Sequence, residues 1–60
     1  MSELTYWRGH EIRLTLGKDG ACAYAIRGER LSASGRERTE FTAHRTAREQ
    51  IDVAIDKDRR

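Results

Sequence analysis

The segment from Ile12 to Ile26 reads IRLTLGKDGACAYAI and predicts a β-hairpin. At both ends of the segment, apolar side chains alternate with polar or small ones, and a period of two places one set on each face of a strand. Between these ends, Asp19-Gly20 supplies the positive φ that a tight hairpin turn requires. One face of the hairpin is apolar, so the rest of the chain must cover it.

The length and the cysteine count limit how this fold can be stabilised. A domain of 60 residues buries only about 60% of the surface that its unfolded chain exposes. Cys22 is the single cysteine, which excludes an internal disulfide, and two histidines with one cysteine cannot complete a structural zinc site without carboxylates or a second chain. We therefore expect one domain over residues 1–60, no cofactor, and self-association, as in a homodimer.

Hydropathy and charge indicate the compartment and the partners. No stretch approaches the roughly 20 apolar residues that cross a bilayer, and the first 16 residues lack the features of a secretory signal. The sequence thus predicts a cytoplasmic protein without a membrane partner. Twelve basic and ten acidic residues are interspersed and leave a net charge of +2. Nucleic acid is favoured only if the basic residues cluster in space, because counterion release depends on a clustered basic surface.

The opening residues predict an extension of the first strand. Leu4 and Tyr6 share even parity with Ile12, so they would line the inner face of one long strand, with Gly9 at a bend or bulge. Trp7 then points outward, where a large aromatic usually has something to contact. A bulge at Gly9 that shifts the parity would instead return Trp7 to the core, and the sequence leaves both orientations open.

The second strand of the hairpin carries Ala21, Ala23 and Ala25 on its outer face. Alanine is a poor strand former, so three in register favour close packing by a neighbouring aromatic such as Trp7 or by another chain. The alternative is a flat surface of small side chains.

The second half of the chain predicts a connection, a third strand and a helix. Residues 28–36 mix turn formers with a short alternating piece, and residues 37–42 alternate as a third strand in which Phe41 is the core anchor. The helix carries an apolar stripe of Ala43, Ala47, Ile51, Ala54 and Ile55. Its start fits a capping box over residues 46–49, or a cap by Thr42 one turn earlier.

These elements predict an α+β fold, a three-stranded antiparallel meander with one C-terminal helix packed on one face (β-β-β-α). The other face of the sheet would be open to water or to a partner.

Two resemblances follow from this layout. The chain resembles small bacterial proteins of unassigned function in its Tyr6-x-x-Gly9-x-x-Ile12 opening, in the strand at residues 23–26, and in a Phe followed by a helix with Thr-Ala and Ile-Asp steps. This resemblance implies a fold and no activity.

The three-strand-plus-helix layout also resembles the DNA-binding domains of plant ethylene-response factors and of integrase amino-terminal domains, which lay the open sheet face in the major groove. The resemblance implies that Arg13, Arg27 and Arg38 would read DNA, with Trp7 and Thr15 beside them. The chain departs from that pattern because Glu11 and Glu40 would share the face, and alanines too short to reach bases fill its centre.

Catalytic chemistry has little support in the residues. Cys22 shares the parity of Tyr24 and Ile26 and is expected to fill the core. His10 and His44 lie outside any metal-ligand spacing, and no glycine-rich phosphate loop is present. The sequence therefore predicts a protein that is not an enzyme.

Two hypotheses from different classes follow. The first is a protein-interaction or self-associating module that uses the open face around Trp7, Ala23 and Ala25, or an exposed edge strand. The second is a nucleic-acid-binding module whose basic residues are Arg13, Arg27, Arg30, Arg36 and Arg38. Arginines that converge on the open face without an intervening carboxylate would favour the second hypothesis.

Overall fold

Two successive β-hairpins followed by one helix make up the fold. The strands are β1 (Ser2–Trp7), β2 (His10–Leu16), β3 (Cys22–Arg27) and β4 (Ser32–Glu37), and the helix is α1 (Glu40–Asp58). The computed structural model describes residues 2–58, and at residue 58 it describes the backbone alone. The strands form one antiparallel sheet in the order β1-β2-β3-β4. The α+β class with an antiparallel sheet and a C-terminal helix is confirmed, but the sheet has four strands rather than three.

The additional strand arises because the predicted long first strand is itself a hairpin. Arg8 and Gly9 form a two-residue turn with φ values of 49° and 81°, both positive as in the type I′ turns that join twisted strands. The turn pairs Trp7 with His10 and Thr5 with Ile12. Directly opposed residues share a face, so the inward positions are odd-numbered on β1 and even-numbered on β2.

Because of this change of parity, the inner face predicted for the first strand is wrong. Leu4 and Tyr6 lie on the outer face of the sheet, where they are 45% and 66% exposed. Trp7 lies on the helix side, which is the second of the two orientations that the sequence leaves open. Leu16 has the inward parity but sits at the end of β2 and is 44% exposed.

The core lies between the central hairpin and α1. The β2–β3 hairpin predicted from residues 12–26 is confirmed, with Ile12 opposite Ile26 and Leu14 opposite Tyr24. The buried apolar residues are Ile12, Leu14, Cys22, Tyr24, Ile26, Ala43, Ala47 and Ile51. Two of the three buried helix residues are alanines, whose small side chains let the helix axis come close to the sheet.

The third strand and the helix start differ from the prediction. The strand predicted over residues 37–42 lies earlier, as β4, and α1 begins at Glu40. Phe41 is therefore a helix residue that is 72% exposed and not a core anchor. Thr39 sets this start, because its Oγ1 accepts a hydrogen bond from the Thr42 amide at 3.1 Å and its carbonyl oxygen accepts one from Ala43 at 3.0 Å. Thr46, one of the predicted caps, instead donates its hydroxyl to Glu37.

Gly35 on β4 permits a close packing contact with Tyr24. A Cβ atom at position 35 would lie 2.4 Å from the Tyr24 hydroxyl oxygen. That hydroxyl accepts a hydrogen bond from Gln50 Nε2 at 2.7 Å, so the tyrosine connects the sheet to the helix. A side chain at position 35 would displace the ring from this contact.

We expect Gly35→Ala to lower the free energy of unfolding by about 1–3 kcal/mol, the usual cost of overpacking a core. Urea denaturation followed by circular dichroism measures this. Ser34→Ala on the exposed side of the same strand is the matched control, expected to stay within about 0.5 kcal/mol of the parent. Equal stabilities for the two variants would contradict the packing role of Gly35.

Candidate functional site

The sheet face opposite α1 is left uncovered by the other elements among residues 2–58. We call it the open face. Its side chains are those of Leu4, Tyr6, Glu11, Arg13, Thr15, Ala23, Ala25, Arg27, Ser32, Ser34 and Arg36. All of them are exposed except that of Glu11, which is half-buried.

The strand register brings three arginines onto this face. Arg13 on β2 lies opposite Ala25, Arg27 on β3 lies opposite Glu11, and Arg36 on β4 lies opposite Ala23. Arg13 and Arg27 are diagonal neighbours on adjacent strands, a relation in which the residues lie about 7–8 Å apart. The arginines therefore occupy three adjacent strands at three different levels of the sheet.

The alanines of β3 form the floor of a shallow depression. Ala23 and Ala25 are exposed and stand between longer side chains on β2 and β4. Part of this depression, with a volume of about 600 Å³, is lined by the charged Glu11, Arg13 and Arg27, by the hydroxyl-bearing Ser32 and Ser34, and by Ala25, Ile26 and Ala33. Trp7 lies on the helix side of the sheet and does not cover these alanines, so the predicted packing by Trp7 is wrong. Packing by another chain stays a prediction.

The charge of the open face is mostly positive. Its three arginines are accompanied by one carboxylate on the same face, Glu11, which lies opposite Arg27 and two residues from Arg13 on β2. The condition of arginines without an intervening carboxylate is therefore not met. Arg36 lies 3.9 Å from Asp19 in the β2–β3 turn, but both side chains are more than two-thirds exposed, so the pair is weak. Glu40, which the sequence placed on this face, is the first residue of α1 and lies elsewhere.

Two of the five predicted basic residues fall outside the open face. Arg30 lies in the connection between β3 and β4, and Arg38 lies in the bend between β4 and α1. The predicted set thus reduces to Arg13, Arg27 and Arg36. Position 36 replaces position 38 because β4 begins and ends earlier than the strand predicted from the sequence.

Trp7 belongs to a polar cluster that ties the β1–β2 turn to the helix. Its Nε1 donates a hydrogen bond to Asp52 Oδ1 at 2.9 Å, and Arg8 donates to the same oxygen at 2.9 Å. The guanidinium of Arg48 lies 5.4 Å from the centroid of the Trp7 ring, a cation–π distance. The hydrogen bonds from Arg8 and Trp7 lower the pKa of Asp52 below its ordinary value. Trp7 is therefore part of the helix–sheet contact and not of the open face.

Two of the three chemically reactive residues named from the sequence, Cys22 and His10, are buried, and His44 is half-buried. Cys22 is fully buried, as predicted, and burial, followed by the charge of Glu40, raises the pKa of its thiol. His10 is also buried, with Nδ1 at 3.1 Å from the carbonyl oxygen of Arg8, and its Nε2 has no hydrogen-bond partner in the part of the chain described. A protonated, buried thiol is a poor nucleophile.

A carboxyl pair that the sequence did not indicate lies at the other end of the helix–sheet contact. Glu3 on β1 lies beside Glu40 on α1, and hydrogen bonding to Glu3, followed by the Glu3 charge, raises the pKa of Glu40 above its ordinary value. The pair lies in a cleft of about 350 Å³ with Phe41 and His44. Across residues 2–58, no three His, Cys, Asp or Glu side chains are grouped so that they could hold a metal ion.

The comparisons with known proteins give no relative. A scan of protein-family models matches none of them, and searches of curated proteins and of solved structures find no significant similarity. Among residues 2–58 no helix is both long enough and apolar enough to span a membrane.

We expect Asp52→Asn to lower stability at neutral pH by about 1 kcal/mol or less, since the carboxylate is 40% exposed. The pKa of Asp52 is lowered in the folded state. Its contribution to the free energy of unfolding is therefore present above the unfolded pKa of about 3.9 and is lost as the pH falls through the folded pKa. Urea denaturation from pH 7 downward should show the difference from wild type vanishing in acid. Asp56→Asn on the exposed side of α1 is the control, and a difference independent of pH would contradict this assignment.

The pKa of Glu40 moves in the opposite direction, so the sign of its pH effect is reversed. The contribution of Glu40 to the free energy of unfolding is complete below the unfolded pKa of about 4.3, and it is lost as the pH rises through the raised folded pKa. We therefore expect the melting temperature of Glu40→Gln to rise relative to wild type as the pH increases from 4 to 7. Glu49→Gln, on the exposed helix face, should not show this trend. Parallel profiles of melting temperature against pH for wild type and Glu40→Gln would contradict a raised pKa of Glu40.

Proposed function

We propose that this chain is a non-enzymatic nucleic-acid-binding module and that its open face contacts the phosphate backbone. The observation that carries the proposal is the presence of Arg13, Arg27 and Arg36 on one uncovered face, where Glu11 is the one carboxylate and lies opposite Arg27. A guanidinium binds phosphate oxygens in a bidentate fashion, which makes arginine the preferred residue for such contacts.

The neighbours of the arginines support the same ligand. Thr15, Ser32 and Ser34 place exposed hydroxyls beside them, and hydroxyl side chains commonly donate to phosphate oxygens. Ala23 and Ala25 leave the centre of the face low enough for an extended backbone to approach the sheet. Contacts of this kind position a strand without reading its bases, so we expect little sequence preference.

The width of the sheet favours a single strand over a duplex. Three inter-strand spacings of about 4.8 Å place β1 and β4 about 14 Å apart before side chains are added. The major groove is about 12 Å wide, so the complete face does not enter it. A single strand laid across the sheet, as on other four-stranded sheets that bind RNA, avoids this conflict.

A protein partner for the same face is the second candidate. Of the three residues predicted for this partner, only Ala23 and Ala25 lie on the open face, because Trp7 points to the helix. Any partner that covers these alanines also meets the three arginines, so it would have to be acidic.

We expect wild-type protein to bind a labelled mixed-sequence single strand at low salt, measured by fluorescence anisotropy. Three neutralised phosphates give a slope of log K against log salt of about −2, at about 0.7 per phosphate of a single strand. Arg13→Gln should reduce the magnitude of this slope by about 0.7. The double variant Arg13→Gln/Arg27→Gln should leave a slope whose magnitude is below about 1. Arg45→Gln, which removes the same charge from the exposed side of α1, should leave the slope unchanged.

The outcomes separate the candidates. If Arg13→Gln and Arg45→Gln lose binding affinity equally, the loss reflects net charge alone. That result would refute a binding site on the open face. Tighter binding of the matching duplex would refute the single-strand assignment. Binding of an acidic peptide, with no binding of either nucleic acid, would establish the protein-partner alternative.

A further inference from the structure

Strand β1 forms an edge of the sheet that neither a strand nor the helix covers within residues 2–58. It is the first strand in the order β1-β2-β3-β4, and its only paired neighbour is β2. The helix packs chiefly on β3 and β2 and more on β4 than on β1. The backbone groups on the outer side of β1 are therefore accessible to another strand.

The β1–β2 turn determines which backbone groups point outward. In a two-residue hairpin the residues that flank the turn exchange hydrogen bonds, and such pairs recur at every second residue. Trp7 and Thr5 therefore direct their amide and carbonyl groups at β2. Leu4 and Tyr6, which alternate with them, direct theirs at the free edge.

The side chains of β1 do not protect this edge. Charged residues, above all Lys, and Pro usually block edge pairing, and Ser2–Trp7 holds one charged residue, Glu3, and no Lys, Arg or Pro. Leu4 and Tyr6, at the two outward hydrogen-bonding positions, are large apolar side chains that are 45% and 66% exposed. The β4 edge is different, since it consists of small, polar and charged residues.

We propose that β1 pairs antiparallel with β1 of a second copy of this chain, which joins the two sheets into one of eight strands. Antiparallel pairing around a two-fold axis at Thr5 sets Leu4 opposite the partner's Tyr6, and Tyr6 opposite the partner's Leu4. Both pairs use the outward hydrogen-bonding positions, and opposed residues share a face, so the four apolar side chains form one cluster.

The placement of the apolar and charged residues selects this register. With Thr5 on the axis, Glu3 lies opposite the partner's Trp7 and not opposite another carboxylate, while the apolar Leu4 and Tyr6 face each other across the axis. Among the other registers that pair outward positions, one sets Leu4 opposite the partner's Leu4 and Tyr6 opposite a serine, and another sets Tyr6 opposite the partner's Tyr6 and Leu4 opposite a turn residue. The self-complementary pattern of β1 therefore fits a second copy of the chain, independently of whether the open face binds nucleic acid.

The first test is sedimentation equilibrium over a micromolar concentration series. We expect wild type to approach the dimer mass and Leu4→Pro to raise the dissociation constant about tenfold or more, since both copies lose an edge amide. The Leu4 amide points away from β2, so this proline should leave the intramolecular sheet intact, which far-ultraviolet circular dichroism checks. A wild type that stays monomeric, or a folded Leu4→Pro that dimerises like wild type, would overturn the proposal.

Cross-linking tests the register and does not depend on the fold of the proline variant. Opposed residues of a non-hydrogen-bonded antiparallel pair lie about 4.5 Å apart at Cα, within the range that a disulfide spans. We expect Thr5→Cys to form a disulfide-linked dimer under mild oxidation and Leu4→Cys to form little, with wild type as the control because its Cys22 is buried. Efficient cross-linking of Leu4→Cys but not of Thr5→Cys would overturn this register, and no cross-linking of either would overturn the edge dimer.

Discussion

The reversal of the chain at Arg8 and Gly9 is the constraint on which the other features depend. Arg8 has a φ of 49°, which is uncommon for a residue with a side chain and costs on the order of 1 kcal/mol. The same residue places its guanidinium 2.9 Å from Asp52 on the helix, and that contact offsets part of the cost. Because the turn resets the parity of β1, Trp7 reaches the helix while Leu4 and Tyr6 are exposed.

Polar contacts at both borders of α1 and small side chains at its centre hold the helix on the sheet. At one border Asp52 accepts hydrogen bonds from Trp7 and Arg8, and at the other Gln50 donates to Tyr24. Between them, Ala43 and Ala47 are fully buried but contribute little apolar area. Since α1 packs on one face, the opposite face has no cover from other elements among residues 2–58, which is why its arginines stay accessible.

The sequence predicted the central hairpin and the helical stripe because each rests on a long, regular pattern. Ile12 and Leu14 face Ile26 and Tyr24 as the alternation requires. The sequence does not indicate the first hairpin, because Arg-Gly is a weak turn signal beside Asn-Gly or Asp-Gly, and Gly9 then fits a bulge equally well. The alternation of Thr39 and Phe41 predicts a strand, whereas a cap by Thr39 starts the helix there.

The same reasoning explains which site residues could be predicted. Arg13 and Arg27 belong to the hairpin whose register the sequence determines, and both lie on the open face. Arg36 could not be distinguished from Arg38 without the bounds of β4. The pairing of Glu3 with Glu40 depends both on the parity change at Arg8 and on the true helix start, so no local pattern could reveal it.

The apolar and basic parts of the open face are spatially separate, and this separation makes the two proposals compatible. Leu4 and Tyr6 lie on β1 at one edge, whereas the arginines lie on β2, β3 and β4. In a dimer joined at β1, the two copies of β2 are three strand spacings apart, or about 14 Å. This distance exceeds the Debye length of about 8 Å at physiological ionic strength, so repulsion between the Arg13 side chains is largely screened. Edge pairing would therefore double the basic face at little electrostatic cost, and a nucleic-acid strand that crosses the joined sheet would meet two sets of arginines.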